Sequence, residues 1–204
     1  MRHLLVLSGL LIFQLVAFGQ LTIDNNVNAT DGVQTVLLGP GVTASNITFI
    51  GQPEQIGSFV CNSCGINIPN GLVLSTGNIE GAMGPNSTSD FGSGPPDPFT
   101  DDFVGDNDLY TLNGTSVSTV AMHNAAVLEF DFIPAGDSVS FSFVFSSEEY
   151  LEYVGIVNDV FGFFISGPGI TGDPGIGAEH NIALIPSTTQ AVAINNVNNG
   201  TNSQ

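Results

Sequence analysis

The residues best placed to do chemistry in this chain are carboxylates, and they fall into two short runs. Asp101, Asp102, Asp106, Asn107 and Asp108 form the first. Glu148, Glu149 and Glu152, followed closely by Asn158 and Asp159, form the second. Crowded carboxylates repel unless something neutralises them. The chain has 19 acidic residues, all after Gly19, and its single Lys or Arg is Arg2. Each carboxylate must therefore face water, accept hydrogen bonds or hold a cation. Calcium suits this chemistry, because it takes roughly six to eight oxygens from Asp, Glu, Asn and backbone carbonyls. The expected ligands of a structural calcium ion are Asp106, Asp108, Glu148, Glu149, Asn158 and Asp159. Asp106-Asn107-Asp108 matches the opening of a calcium loop but lacks the later Gly and Glu of an EF-hand, so the site would be irregular. The alternative is a set of solvated acidic loops.

Catalysis is the weaker reading. A glycosidase needs two carboxyls facing each other across a sugar, roughly 5 to 10 Å apart. Glu148 and Glu149 are adjacent, and on a strand they would point to opposite faces. A hydrolase would have to use a pair such as Asp106 and Glu148. His123 and His180 lie in no recognisable nucleophile motif, so both read as structural or exposed. Tyr110, Tyr150 and Tyr153 flank the acidic runs and are candidate ligand contacts, either with a glycan or with a protein. Packing at a sheet edge is the competing account of these tyrosines. The absence of Trp weakens the sugar reading.

Short strands must position these residues. Gln34–Leu38, Ile47–Ile50 and Gly71–Ser75 are apolar and β-branched runs bounded by Gly, Pro and Asn, and they predict strands. Residues 81–107 are rich in Gly, Pro, Ser and Asp, and predict a long surface loop. In Ala126–Phe132, Leu128, Phe130 and Phe132 alternate with Val127, Glu129 and Asp131. In Ser138–Phe145, Val139, Phe141, Phe143 and Phe145 alternate with smaller residues. Period two predicts an antiparallel hairpin turning at Pro134–Asp137. Val160–Ile165 predicts an interior strand, and Ile182–Ile185 and Ala191–Ile194 predict two more. Helical signals are weak after the N-terminus. The expected fold is all-β: an antiparallel, jelly-roll-like β-sandwich with a long Gly/Pro/Asp-rich loop.

Charge and the N-terminus bound the setting. Formal net charge is −18, which excludes nucleic acid and anionic membrane surfaces as partners. Residues 1–19 read as a secretory signal peptide: Arg2 and His3, then the apolar Leu4–Phe18, then small residues at Ala17 and Gly19. Cleavage there leaves residues 20–204 as one domain with no membrane insertion. Cys61 and Cys64 form a C-x-x-C. In an exported chain a small-loop disulfide is favoured, with a redox pair, free thiols or metal ligation as the alternatives.

Phe141-Ser142-Phe143-Val144-Phe145-Ser146-Ser147-Glu148-Glu149-Tyr150, Asn158-Asp159-Val160-Phe161-Gly162-Phe163-Phe164 and Ser166-Gly167-Pro168-Gly169 together resemble the choice-of-anchor L domain. So do Gly71-Leu72-Val73-Leu74-Ser75-Thr76-Gly77, Gly105-Asp106-Asn107-Asp108-Leu109 and Ile194-Asn195-Asn196-Val197-Asn198. The resemblance runs from about Gln34 to the last residue. It implies a secreted or surface-exposed module of exported proteins from Bacteroidota and some other bacteria, on chains that continue into further strands. The domain is accordingly expected to be incomplete at its C-terminal end. The functional expectation is a non-catalytic binding or adhesion module with an extracellular protein or glycan ligand, stabilised by calcium. A carbohydrate-binding module of a larger enzyme or adhesin is the alternative, and a hydrolase domain the second.

Overall fold

The computed structural model describes residues 21–84, 105–114, 122–150, 152–198 and 200. The predicted signal peptide, Asp101, Asp102 and most of the predicted long loop lie outside these residues. The described chain is all-β with antiparallel sheets and a few short helices.

The first sheet has the order β1–β3–β4, built from β1 (Leu21–Asp24), β3 (Ile56–Cys61) and β4 (Asn70–Leu74). Leu21 pairs with Cys61, and Ile56 with Leu74. The predicted strand at Gln34–Leu38 is corrected: α1 (Ala29–Asp31) runs into a π-helical turn at Gly32–Leu37. Asn28 starts it, its side-chain oxygen accepting from the Asp31 N–H at 3.0 Å, which satisfies a donor the first turn leaves open. Val33 is then fully buried. A Cβ on Gly32 would come 2.6 Å from Leu72 Cδ2, so this turn sits directly on β4. Packing has overridden the strand preference of β-branched residues.

The second sheet pairs β2 (Val42–Ile50) with β5 (Val127–Pro134). It is the longest ladder described, from Val42↔Pro134 to Ile50↔Val127, with a bulge between Ser45 and Thr48. Asn46 takes φ 52° inside that bulge, a conformation Asn tolerates better than most side chains. The predicted alternation of β5 holds: Leu128, Phe130 and Phe132 are half-buried while Glu129, Asp131 and Ile133 are exposed.

Its predicted partner is corrected. β5 pairs with β2, and residues 138–147 form no strand. Pro134 stands where a hairpin ladder would have to begin, and it has no N–H to donate. The following segment packs through its rings instead. Phe132 meets Phe141 edge-on at 6.5 Å, Phe141 lies 4.6 Å from Phe163, and Phe143 lies 5.2 Å from Phe161.

Val160–Ile165 is likewise not one strand. It divides into β6 (Val160–Phe161) and β7 (Phe164–Ile165), which pair with β9 (Val192–Ala193) and β8 (His180–Asn181) respectively. Much of the deepest burial is here: Ala183, Ile185, Val192, Ala193 and Ile194 all lie below about a tenth exposed. Helical pieces complete the chain: one 3-10 turn at Pro53–Gln55, another at Ile79–Met83, and α2 (Asn107–Leu112).

Candidate functional site

Within the first acidic run, Asp106, Asn107 and Asp108 lie at the start of a helix. Asp106 is the N-cap of α2, and its Oδ1 accepts from the Asp108 N–H at 2.9 Å and the Leu109 N–H at 3.0 Å. An Asp ahead of an apolar run with another acid in the first turn is a legible helix signal. Asp108 points into a more crowded setting. Burial, then Asp106, Glu179 and Glu129, push its carboxyl above the usual range. Glu129 comes from β5 and Glu179 precedes β8, so the field at Asp108 has contributions from three parts of the chain. Sequence spacing did not reveal those contributions, because their sources are far apart along the chain.

The helix ends against the second acidic run. Asn113 caps α2, its backbone N–H donating to Leu109 O. Asn158 Nδ2 donates to Asn113 Oδ1, and Asn158 Oδ1 accepts from the Asn195 N–H at 2.9 Å. Asn195 Oδ1 in turn accepts from the Gly155 N–H at 2.6 Å. One residue, Asn158, thus joins α2 to the segment after β9.

Glu148–Tyr150 forms a turn, so the opposite-faces argument for Glu148 and Glu149, which assumed a strand, does not apply. Ser147 Oγ donates to Asp159 Oδ2 at 3.0 Å and accepts from the Glu149 N–H at 3.1 Å. The Asp159 carbonyl accepts from the Ile194 N–H at 3.1 Å. The Tyr150 hydroxyl donates to Val197 O. Burial, with the Asp159 carboxylate adding to it, raises the Tyr150 phenol above its usual range. Among the described residues, no three or more His, Cys, Asp or Glu side chains are grouped as a metal site requires.

The tyrosines separate. Tyr110 is 4% exposed, and its hydroxyl accepts from the Met122 N–H at 2.8 Å. It is a packing residue, which corrects its assignment as a ligand contact. Tyr150 and Tyr153 are half-buried. Outside both runs, Asp173 and His180 meet at 2.7 Å. Asp173 is held below its ordinary range first by the Asn181 backbone N–H and then by His180. Cys61 and Cys64 are joined in a disulfide.

A different surface stands out on the β2–β5 ladder. Its outer face presents Thr43, Ser45, Asn46 and Thr48 beside Glu129 and Asp131, all exposed. Asn46 Nδ2 donates to Asp131 Oδ2 at 2.6 Å. Ile133, 71% exposed, and Ile50, 55% exposed, mark its two ends. They stand at opposite ends of a polar face that the bulge between Ser45 and Thr48 interrupts.

The family model of the choice-of-anchor L domain matches residues 22–204, nearly the whole chain. The chain belongs to this family. Choice-of-anchor L domains are modules of secreted or surface-anchored proteins. No helix among the described residues is long and apolar enough to cross a membrane. No curated protein and no solved structure matches the chain.

Proposed function

We propose that this choice-of-anchor L domain is a non-catalytic recognition module that docks a basic protein surface on the outer face of β2–β5. The observation that carries this reading is that face itself: hydroxyl and carboxylate groups in register on either side of the bulge that holds the Asn46 amide, with Ile133 and Ile50 at its ends. Binding sites commonly combine apolar anchors with a polar surround. Charge selects the partner. With a net charge of −18 and no Lys or Arg after Arg2, the chain repels acidic surfaces and attracts cationic ones. The test is binding of the labelled full chain to protein and glycan arrays, beside Ile133→Asp. Signal on basic proteins that Ile133→Asp loses supports the reading. Signal confined to glycans transfers the role to carbohydrate binding, and silence on both arrays ends it.

A second reading concerns calcium, and Asp108 favours it. Burial first, and then Asp106, Glu179 and Glu129, raise its carboxyl, and a cation nearby would relieve the part of this that is repulsion, which no Lys or Arg can. A calcium ion there, or at Glu148, Glu149, Asn158 and Asp159, would have to gather side chains that are not yet grouped as ligands, with backbone carbonyls completing the shell. Melting in millimolar calcium against a chelator tests it. Linkage predicts a gain of about 2.7 kcal/mol at a hundredfold excess over Kd, and coincident melts would remove calcium from the account.

A further inference from the structure

We infer that Cys61–Cys64 is a redox-active disulfide that exchanges with small thiols, rather than a staple for the fold. It sits at the mouth of an exposed loop between β3 and β4, where Asn62, Ser63, Gly65 and Asn67 face solvent and both cysteines are half-buried. The Cys64 backbone N–H donates to Cys61 Sγ at 3.2 Å. A donor aimed at sulfur stabilises a thiolate there, and a C-x-x-C frame is one of the settings that lowers a thiol pKa. Cys61 is therefore the better leaving group.

The surroundings hold Cys61 without help from the bond. It pairs with Leu21 in the β1–β3 ladder, and its own N–H donates to Pro69 O at 2.8 Å. The sequence separation of the cysteines is only 3, and so short a loop constrains the unfolded chain least. Opening the bond leaves the ladder intact on both sides, so little stability depends on it.

The exchange balances with thiol as the only co-reactant. The thiolate of one small thiol attacks Cys64 Sγ. The sulfur–sulfur bond breaks, and its electron pair leaves on Cys61 Sγ beneath the Cys64 N–H. A second thiolate then attacks the external sulfur of the mixed disulfide and releases Cys64 as a thiolate. The protein gains two electrons and, after protonation, two protons, while two thiols become one disulfide.

The experiment equilibrates the full chain in graded mixtures of reduced and oxidised glutathione, traps thiols by alkylation, counts them by mass, and melts both forms. The expected result is reversible reduction of the folded protein by glutathione, with reduced and oxidised melting temperatures within a few degrees. A bond that glutathione leaves intact, or that opens only as the protein unfolds, overturns the inference. Single variants test the direction of attack. In Cys64→Ser the backbone N–H at residue 64 persists, so the Cys61 thiol should alkylate about tenfold faster near pH 7 than the Cys64 thiol of Cys61→Ser, as expected for one pKa unit. Equal rates would remove the role given to that N–H.

Discussion

Residues 21–74 with β5 and residues 139–198 solve the same problem in different ways. The first region satisfies its backbone through long ladders: β2 with β5, and β3 with both β1 and β4. The second has strands of two residues each, yet it contains the fully buried Ala183 and Ile194. Amide and carboxylate side chains share the work with scattered backbone bonds such as Ile182 N–H to Phe163 O and Ile185 N–H to Gln190 O. Asn181, 1% exposed, accepts from the Phe163 and Ala183 N–H groups and donates to the Ala183 carbonyl. Asp173 accepts from the Asn181 N–H, and Asn196 and Asn198 donate to the carbonyls of Ala191 and Ile194. The contrast teaches that depth of burial does not require long ladders, provided every buried polar group finds a partner.

Breaking the second region should therefore cost most. Ile194→Ala removes a fully buried side chain and should lower stability by about 4 kcal/mol in denaturant unfolding. Asn181→Ala should cost about 3 kcal/mol, because it strands the buried Ala183 N–H and the part-buried Phe163 N–H at once. A loss as small as that of a surface substitution would mean these short strands hold without their side-chain bonds, and the contrast would fail. The first region has one comparable hub. Gln55 is fully buried, donates to the carbonyls of Ser75, Thr76 and Asn124, and accepts from the Gln52 N–H. Gln55→Ala should cost about 2 kcal/mol, readable as a shift in the urea midpoint. On the exposed ladder, Thr48→Val should move stability by about 0.5 kcal/mol or less.

pH sharpens the same comparison. Asp173 titrates below its ordinary 3.8 when folded. Its contribution to stability is thus fully present above that value and is lost as pH falls through the lower, folded one. Asp173→Asn should therefore destabilise the protein at neutral pH, with the gap to wild type closing in acid. A gap that is the same at pH 3 and pH 7 would remove Asp173 as a charged partner of Asn181 and His180.

Legibility followed the range of the interactions. Alternation in β5 was readable because period two is a local property, and β4 and the end of β2 were readable because an apolar, β-branched run bounded by Gly, Pro or Asn is local too. The partner of β5 was not, because pairing with β2 depends on Pro134 closing one route while residues far upstream supply another. The turn at Gly32–Leu37 was misread because its residues favour strands in isolation. Asp106 suits both a cation ligand and a helix N-cap by residue type; its place ahead of an apolar run marked the cap, and the structure shows its oxygen accepting from two N–H groups. The effect of Glu129 and Glu179 on Asp108 left no trace in spacing at all.

By itself the sequence determined the all-β class, the acidic character, the choice-of-anchor L family and the alternating faces, since each follows from composition, motif or local period. The tertiary structure alone decided which strand meets which, that Tyr110 lies inside, and which distant acids act on Asp108. Those outcomes depend on contacts between distant segments, where backbone donors must be satisfied and side chains must fit, and no local pattern encodes them.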